Sequence, residues 1–482
     1  MSPRGRALGL AWAVAREEWR LMARSRVAVA GLGLLLLLAM VAAVAAWQQR
    51  ASAAEQRAHH QQQMHDEFAA QPDRHPHRMV HFGHFVFRPL SPLAAFDSGT
   101  DAYTGHTLFL EGHRQNSANF SEVRQSSLLL RFGQLLPAFV LQVLAPLLLV
   151  FIGHGVMARE REAGTLRVLL AQGLAPGTLV AGKLLALGGV AVLMLLPALL
   201  ALAAMVLFSG APAALAGALA SAYAAWLLLW VLGVGAVSAL CRRSRDALLV
   251  LLAAWALSVV VLPRLAAEWA SASRPLPTRV ESDILLQREL AQLGNSHNAA
   301  DGRFAAFRQA TLARYGVQRV EDLPVNYKGL VAMEGERQTS ELFVRQAAAS
   351  FAQQHAQRAA VQRWAPASPV LALRAVSMAL AGTDLPAYQG FMEQAEQHRY
   401  TMVQALNRLQ AEQMTLQTDR SSRDDRISRT HWQTIAPFEH RPEPATQLLQ
   451  RAAPAAAVLG AWLAAMAVLL GLATRRLARG MP

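Results

Sequence analysis

The stretch EREAGTLRVLLAQGLAPGTLVAGKLLAL, residues 160–187, decides how the rest of the chain is read. Gly177, Gly182 and Lys183 fall at the G-x-x-x-x-G-K spacing that begins a phosphate-binding loop. A functional loop of that kind ends G-K-[ST], because the hydroxyl coordinates magnesium. It also follows a strand and opens a helix whose N-terminus faces the phosphates. Here Leu184 follows Lys183, and the chain runs on into an apolar segment. The spacing therefore marks where the chain enters a membrane, and this chain is not its own ATPase.

The surrounding composition agrees. The chain has 482 residues, 53% hydrophobic and 16% charged, with mean hydropathy +0.22. That is too apolar for an ordinary soluble protein. Six segments reach the roughly 20 apolar residues that a spanning helix needs, at 27–47, 132–157, 184–208, 214–240, 247–263 and 452–474. Long loops at 48–131 and 264–451 follow the first and fifth, and only SGAPA separates the third and fourth. The net charge of +14 does not build a nucleic-acid surface, because the arginines flank the apolar runs. They concentrate in residues 1–26, in the 158–183 loop, at Arg242, Arg243 and Arg245, and in the 475–482 tail. With six spans, all four regions share one side, which the positive-inside rule makes cytoplasmic. Both long loops are then extracytoplasmic, and the Ala, Leu and Arg bias suggests a GC-rich bacterial genome, so the expected location is a bacterial inner membrane. The triplet ASA at 51–53 offers a signal-peptidase site, but the preceding apolar run is long for a signal core and has a 26-residue tail before it. The lone Cys241 excludes an intrachain disulfide or a thiolate-rich metal site, and is expected at a helix end.

Within the opening stretch, Glu160 and Glu162 precede a short helix that starts at Gly164 and Thr165. Thr165 is placed to cap its first turn, and the carboxylates complement its positive end. Leu166, Leu169 and Leu170 share one face. An amphipathic helix on a cytoplasmic loop is either an interfacial anchor or a knob for a partner's groove.

At these residues the chain resembles the type-2 ABC permeases, the membrane subunits of a large exporter class. Their pattern is an acidic pair, G-T-L, a short helix, a break, and a G-K entering the third span. Glu160, Glu162, Gly164, Thr165, Leu166, Gly182 and Lys183 match it. The resemblance implies that residues at about 160–172 form a coupling helix docked in a separate ATPase subunit, which binds ATP and magnesium. It makes VAREEWRLMARSR an amphipathic elbow along the membrane surface. FRPLSPLAAFDSGTDAY and SPVLALRAVSMALAGTDLPAYQGFMEQAEQHR are similar to a bacterial subgroup with a sizeable extracytoplasmic domain of unknown function.

No ionisable residue lies in the core of the six spans, as a proton- or sodium-driven pump would require. His154 sits near the end of the second span, where Gln134 and Gln142 are the other strongly polar side chains. A motor in another chain is the simplest energy source. Residues 266–450 repeat apolar positions at helical spacing, with Asp384 or Thr383 capping the last helix and LPVNYKG at 323–329 read as a link. No spacing of Ser, His and Asp makes a catalytic set.

The first long loop holds nine of the fifteen histidines: His59, His60, His65, His75, His77, His81, His84, His106 and His113. His75, His77, His81 and His84 have a spacing that imidazole metal ligands can use. Pro76 breaks a helix there, and HFGHFVF alternates like a strand, so convergence does not follow from spacing, and solvated or packing histidines are the simpler expectation.

The expectation is an all-α polytopic membrane protein with six spans and a mainly helical extracytoplasmic domain. It is half a transporter, partnered by ABC ATPases and by a second copy or a related permease. Two alternatives stay open: force transmission to a periplasmic protein, and metal loading through the histidine-rich loop.

Overall fold

The architecture is that of a computed structural model describing residues 3–116, 118–119, 135–417, 419 and 425–479. Part of the 48–131 loop, the first residues expected for the second span (Gln134 included) and the last three of the tail lie outside the described residues.

Helix α1 (Pro3–Arg24) covers most of the segment expected as the elbow, and Ser25 separates it from α2 (Arg26–Ala69) by accepting a hydrogen bond from the Ala28 amide at 3.3 Å. At about 1.5 Å per residue, α2 is more than twice as long as a bilayer core. Its apolar half can span and its polar half projects beyond. Four further helices follow: α3 (Pro76–Phe82), α4 (Pro137–Glu162), the short α5 (Thr165–Ala171), and α6 (Pro176–Ser209). Helices α7 (Ala213–Leu240) and α8 (Ser244–Ser273) complete this half. Gly210 turns between α6 and α7 with φ +68°, where a side chain would be strained. Cys241 lies at the C-terminal cap of α7.

The second half holds α9 (Arg279–Leu290), α10 (Ala305–Tyr315), α11 (Tyr327–Gln362), α12 (Pro369–Ala381), α13 (Leu385–Gln413) and α14 (Ala445–Arg479). The 323–329 link already contains the start of α11, which Asn326 caps by accepting from the Lys328 amide at 3.0 Å. Asp384 caps α13 through the Ala387 amide.

All six expected spans are present, and the fold is all-α and polytopic. A seventh apolar stretch enters the picture at α12–α13. It is not one helix, because Gly382 breaks it at φ +67°. At about 1.5 Å per residue the 13-residue α12 reaches about 20 Å, short of the roughly 30 Å core. Instead it is packed into the end of the bundle remote from α5. Val370, Leu373, Val376 and Leu380 join the core around Leu219, Tyr223 and Trp226 of α7.

A polar chain seals this end. Gln142 Nε2 donates to the Tyr223 hydroxyl at 2.8 Å, and Ser377 Oγ donates to Asp97 Oδ2 at 2.5 Å. Since the Ser377 proton is committed to Asp97, the Tyr223 hydroxyl donates to Ser377 across 2.9 Å. Arg374 adds a bond to Gln142 Oε1 at 3.2 Å. Asp97, buried, and Arg374, half-buried, are thus polar groups brought to the bundle end by segments outside the six spans.

The first loop and residues 264–451 share a second core, in which Phe68, Met79, Val80, Val86 and Leu110 meet Phe391, Met402, Leu406, Trp432 and Phe438. A small antiparallel sheet, β1 (His84–Phe87), β2 (Thr107–Glu111) and β3 (Arg114–Gln115), contributes to it, with Phe85 opposite Phe109. Beside this core, Arg399 is 1% exposed. Its guanidinium reaches Glu336 at 2.6 Å, Glu396 at 2.8 Å and the Ser340 hydroxyl at 3.1 Å. Truncating one partner of a buried ion pair strands the others, at about 3–5 kcal/mol. Arg399→Met is therefore expected to lower the unfolding free energy of the purified protein by that amount, read from denaturant curves. Arg399→Lys should recover only part, because it cannot serve both carboxylates with a planar fork.

Candidate functional site: the loop between the second and third spans

Three consecutive charged residues, Glu160, Arg161 and Glu162, fix this loop by each addressing a different helix. Glu160 Oε1 meets Lys183 Nζ in α6 at 2.9 Å. Arg161 donates to the Cys241 and Ala239 carbonyls at 2.6 and 2.9 Å. Those oxygens belong to the last turn of α7, whose carbonyls have no partner within the helix. Glu162 Oε2 accepts from the Ser244 amide at 3.1 Å and hydroxyl at 2.6 Å, at the N-terminus of α8. That is the end where a helix dipole favours an anion. Ser238 adds another tie, accepting from the Met157 and Ala158 amides and donating to the His154 carbonyl at 2.7 Å.

Lys183 is the centre of the arrangement. It is 4% exposed and lies 2.7 Å from Glu18 Oε2 of α1, as well as beside Glu160. Gly182 permits the approach. A Cβ there would come within 2.5 Å of the Ala11 carbonyl oxygen and 2.6 Å of Val14 Cβ. Gly177, by contrast, faces open space. The G-x-x-x-x-G-K residues all lie in one continuous helix, so their amides run along α6 instead of wrapping round a phosphate.

The short helix differs from its expected form in two respects. Thr165 does not cap the next turn. Its hydroxyl turns back to the Glu160 carboxylate and carbonyl, and Gly164 forms the N-terminus at φ +77°. The leucine face also points inward. Leu166 is buried, and Leu169 and Leu170 are half-buried against Met157, Leu179, Val180 and Leu477. What α5 presents outward is Gly164, Thr165, Arg167, Val168 and Ala171, all exposed.

Glu18, Ser238 and Ser244 were not singled out by sequence reasoning. Glu18 carried a faint signal, as a carboxylate on an otherwise arginine-rich elbow.

The four histidine candidates divide. His75 caps α3 and its Nε2 contacts Asp419 at 3.1 Å. His84 is buried beside Phe68 and His398. Neither joins a cluster with the other two, because α3 ends at Phe82 and Gly83 redirects the chain into β1. His77 and His81 do come together, one turn apart on α3, with His113 and His297 as companions. Burial, together with the imidazoles of His81, His297 and His113, pushes His77 down to about 3.

The long apolar helices and the braced loop define a polytopic membrane protein. Residues 12–296 match the ABC-2 family transporter protein description, and residues 279–441 match a domain of unknown function (DUF3526). A search of curated proteins gave no match. The chain belongs to the ABC-2 transporter family and is the membrane subunit of an ABC transporter.

The two glycines supply a direct check of the elbow contact. Gly182→Val must lift α1 and should strip the elbow of protection in hydrogen exchange and lower the melting temperature in detergent. Gly177→Ala, with open space around it, should leave both unchanged.

Proposed function

We propose that this chain is one of two membrane subunits of a bacterial ATP-driven exporter or extractor. A second copy or a related permease is the other. Loop 158–183 docks on a separate ABC ATPase, which binds ATP and magnesium, and the termini share that cytoplasmic side. The domain made by residues 48–131 and 264–451 is extracytoplasmic.

One observation carries this reading. The last turn of α4, which leads into α5, is tied to α6, α7 and α8, and Lys183 of α6 is tied in turn to α1. Helix α5 packs its leucines against Leu179, Val180 and Leu477, while a Cβ at Gly164 would meet none of the described residues within 4 Å. A push at Gly164 is delivered to four helices at once. The arrangement of the core supports a transport route between two subunits. Tyr223, Trp226 and Leu219 fill the interior of this bundle at the end that α12 closes, and a path through it would have to displace them. The apolar residues Leu34, Leu37, Val41, Leu249, Val468 and Leu472 are exposed along α2, α8 and α14, facing lipid or a neighbouring subunit.

A second reading has its own support. Because α12 belongs both to the bundle core and to the domain, the ATPase cycle would also move the extracytoplasmic domain against a periplasmic partner. Purified complex distinguishes the two: substrate-stimulated ATPase activity favours transport, and stimulation only by a periplasmic protein favours force transmission.

Docking itself is tested at Gly164. Its Cβ direction is empty among the described residues, so beyond the strain that φ +77° puts on any side chain, a large one meets only what sits outside this chain. Gly164→Trp should abolish stoichiometric co-purification of the ABC ATPase, with the protein still in the membrane. Gly164→Asn, which tolerates a left-handed backbone, should keep it. Retention of the ATPase and normal transport by the tryptophan variant would refute the docking assignment.

A further inference from the structure

Four imidazoles from three separate places in the sequence meet at one point. His77 and His81 lie one turn apart on α3. His113 occupies the β2–β3 turn, and His297 comes from the loop after α9. Every one of the six ring pairs has centroids between 4.7 and 5.9 Å apart. One nitrogen from each ring fits within a 4.8 Å span.

Hydrogen bonding among the rings does not account for the cluster. His81 Nε2 is 3.2 Å from His77 Nε2 and 3.4 Å from His297 Nε2. A single imidazole nitrogen carries either one proton or one lone pair, so it cannot make two full bonds to two such partners. The distances have another meaning. Four nitrogens placed tetrahedrally about a zinc ion at about 2.0–2.1 Å are separated by about 3.4 Å.

The tautomers are set in the same sense. His113 Nδ1 lies 3.2 Å from Glu336 Oε2, and a carboxylate only accepts there, leaving His113 Nε2 as the free nitrogen. That Nε2 is buried with no hydrogen-bond partner. His297 Nδ1 lies 3.3 Å from Asn295 Oδ1, again an acceptor, which frees its Nε2 toward His81. Metal-bound histidines characteristically donate their second N–H to a carboxylate or carbonyl in this way.

The backbone is also arranged for convergence. His113 has φ +61°, a left-handed conformation rare outside glycine, and costs about 1 kcal/mol or more. Gly112 presses the turn onto α3, its amide bonding the Val80 carbonyl at 3.0 Å, where a Cβ would meet Val80 Cγ1. His81 and His297 are exposed, so an ion has a way in.

We propose that His77, His81, His113 and His297 form a tetrahedral binding site for a divalent zinc-like cation, with Glu336 and Asn295 orienting two of the ligands. The bound ion clamps the first extracytoplasmic segment, which supplies three ligands, to the second, which supplies His297. An all-imidazole set suits zinc, copper or nickel, and the two short separations at His81 match the edges of a tetrahedral zinc site. The site does not depend on the transporter assignment.

The test uses the full chain, purified in detergent on a tag free of histidine and stripped with a chelator. Zinc alone is titrated by calorimetry, and bound metal is counted by mass spectrometry. One zinc per chain is expected, with cobalt giving the intense visible bands of a tetrahedral site. His297→Gln, on an exposed loop that does not support the core, should lower zinc affinity by at least about tenfold. Glu336→Gln should weaken it roughly 10–100-fold, as loss of an orienting carboxylate does. The double variant His59→Gln/His60→Gln, exposed in the same histidine-rich segment, should bind zinc as the parent does. Absence of stoichiometric zinc, or zinc affinity unchanged by His297→Gln, would overturn the proposal.

Discussion

Lys183 cannot be buried alone. An ammonium withdrawn from water costs several kcal/mol unless carboxylates meet it, and removal of one partner from such a pair costs about 3–5 kcal/mol. Here Glu18 and Glu160 lie within 2.9 Å of it, on two different helices. The consequence is geometric. For Lys183 to be satisfied, the elbow must lie against the start of α6, and the end of α4 must approach both. Gly182 then has to be glycine-sized, and Glu160 is placed where Thr165 can turn back to it. Arg161 and Glu162, the next two residues, are thereby aimed at the ends of α7 and α8. The position of α5 thus follows from where the lysine is neutralised.

The opposite end is organised by different chemistry. There the contacts are a directed chain of hydrogen bonds from Gln142 through Tyr223 and Ser377 to Asp97, within an apolar core. Such groups hold their neighbours in register, because any shift leaves a buried donor or acceptor unmatched. Asp97 and Ser377 come from the two segments that also build the domain around Arg399 and the Phe391 core. Among the described residues, α4 and α7 are therefore joined to the domain at this end by matched polar contacts.

Much of this was legible in the sequence, and the remainder was hidden for physical reasons. Segment length and apolarity identified the six spans because a bilayer sets a minimum length that few other environments demand. The cap expected at Asp384 or Thr383 marked the start of α13, where Asp384 is the residue that caps, because caps act over a few residues. Helix α12 was concealed by being too short to span and by lying within polar surroundings. What buries it is α7 and α14, remote in sequence. The leucines of α5 show a limit of periodicity. It identifies the apolar face of a helix but not what covers that face, and here the helix's own bundle covers it.

The phosphate-loop spacing shows the opposite limit, since a pattern of glycines and a lysine has meaning only with the backbone it rides on. On a loop the amides converge on an anion. On α6 the same residues bring a helix against the elbow, and the lysine finds carboxylates 23 and 165 residues away. The histidines follow the same logic. Spacing along the chain offered His75, His77, His81 and His84, yet one helical turn keeps only His77 and His81 together. Their companions are set by a hairpin turn and by a loop 216 residues beyond His81. Local pattern supplied half of that cluster, and tertiary packing of the two long segments supplied the other half.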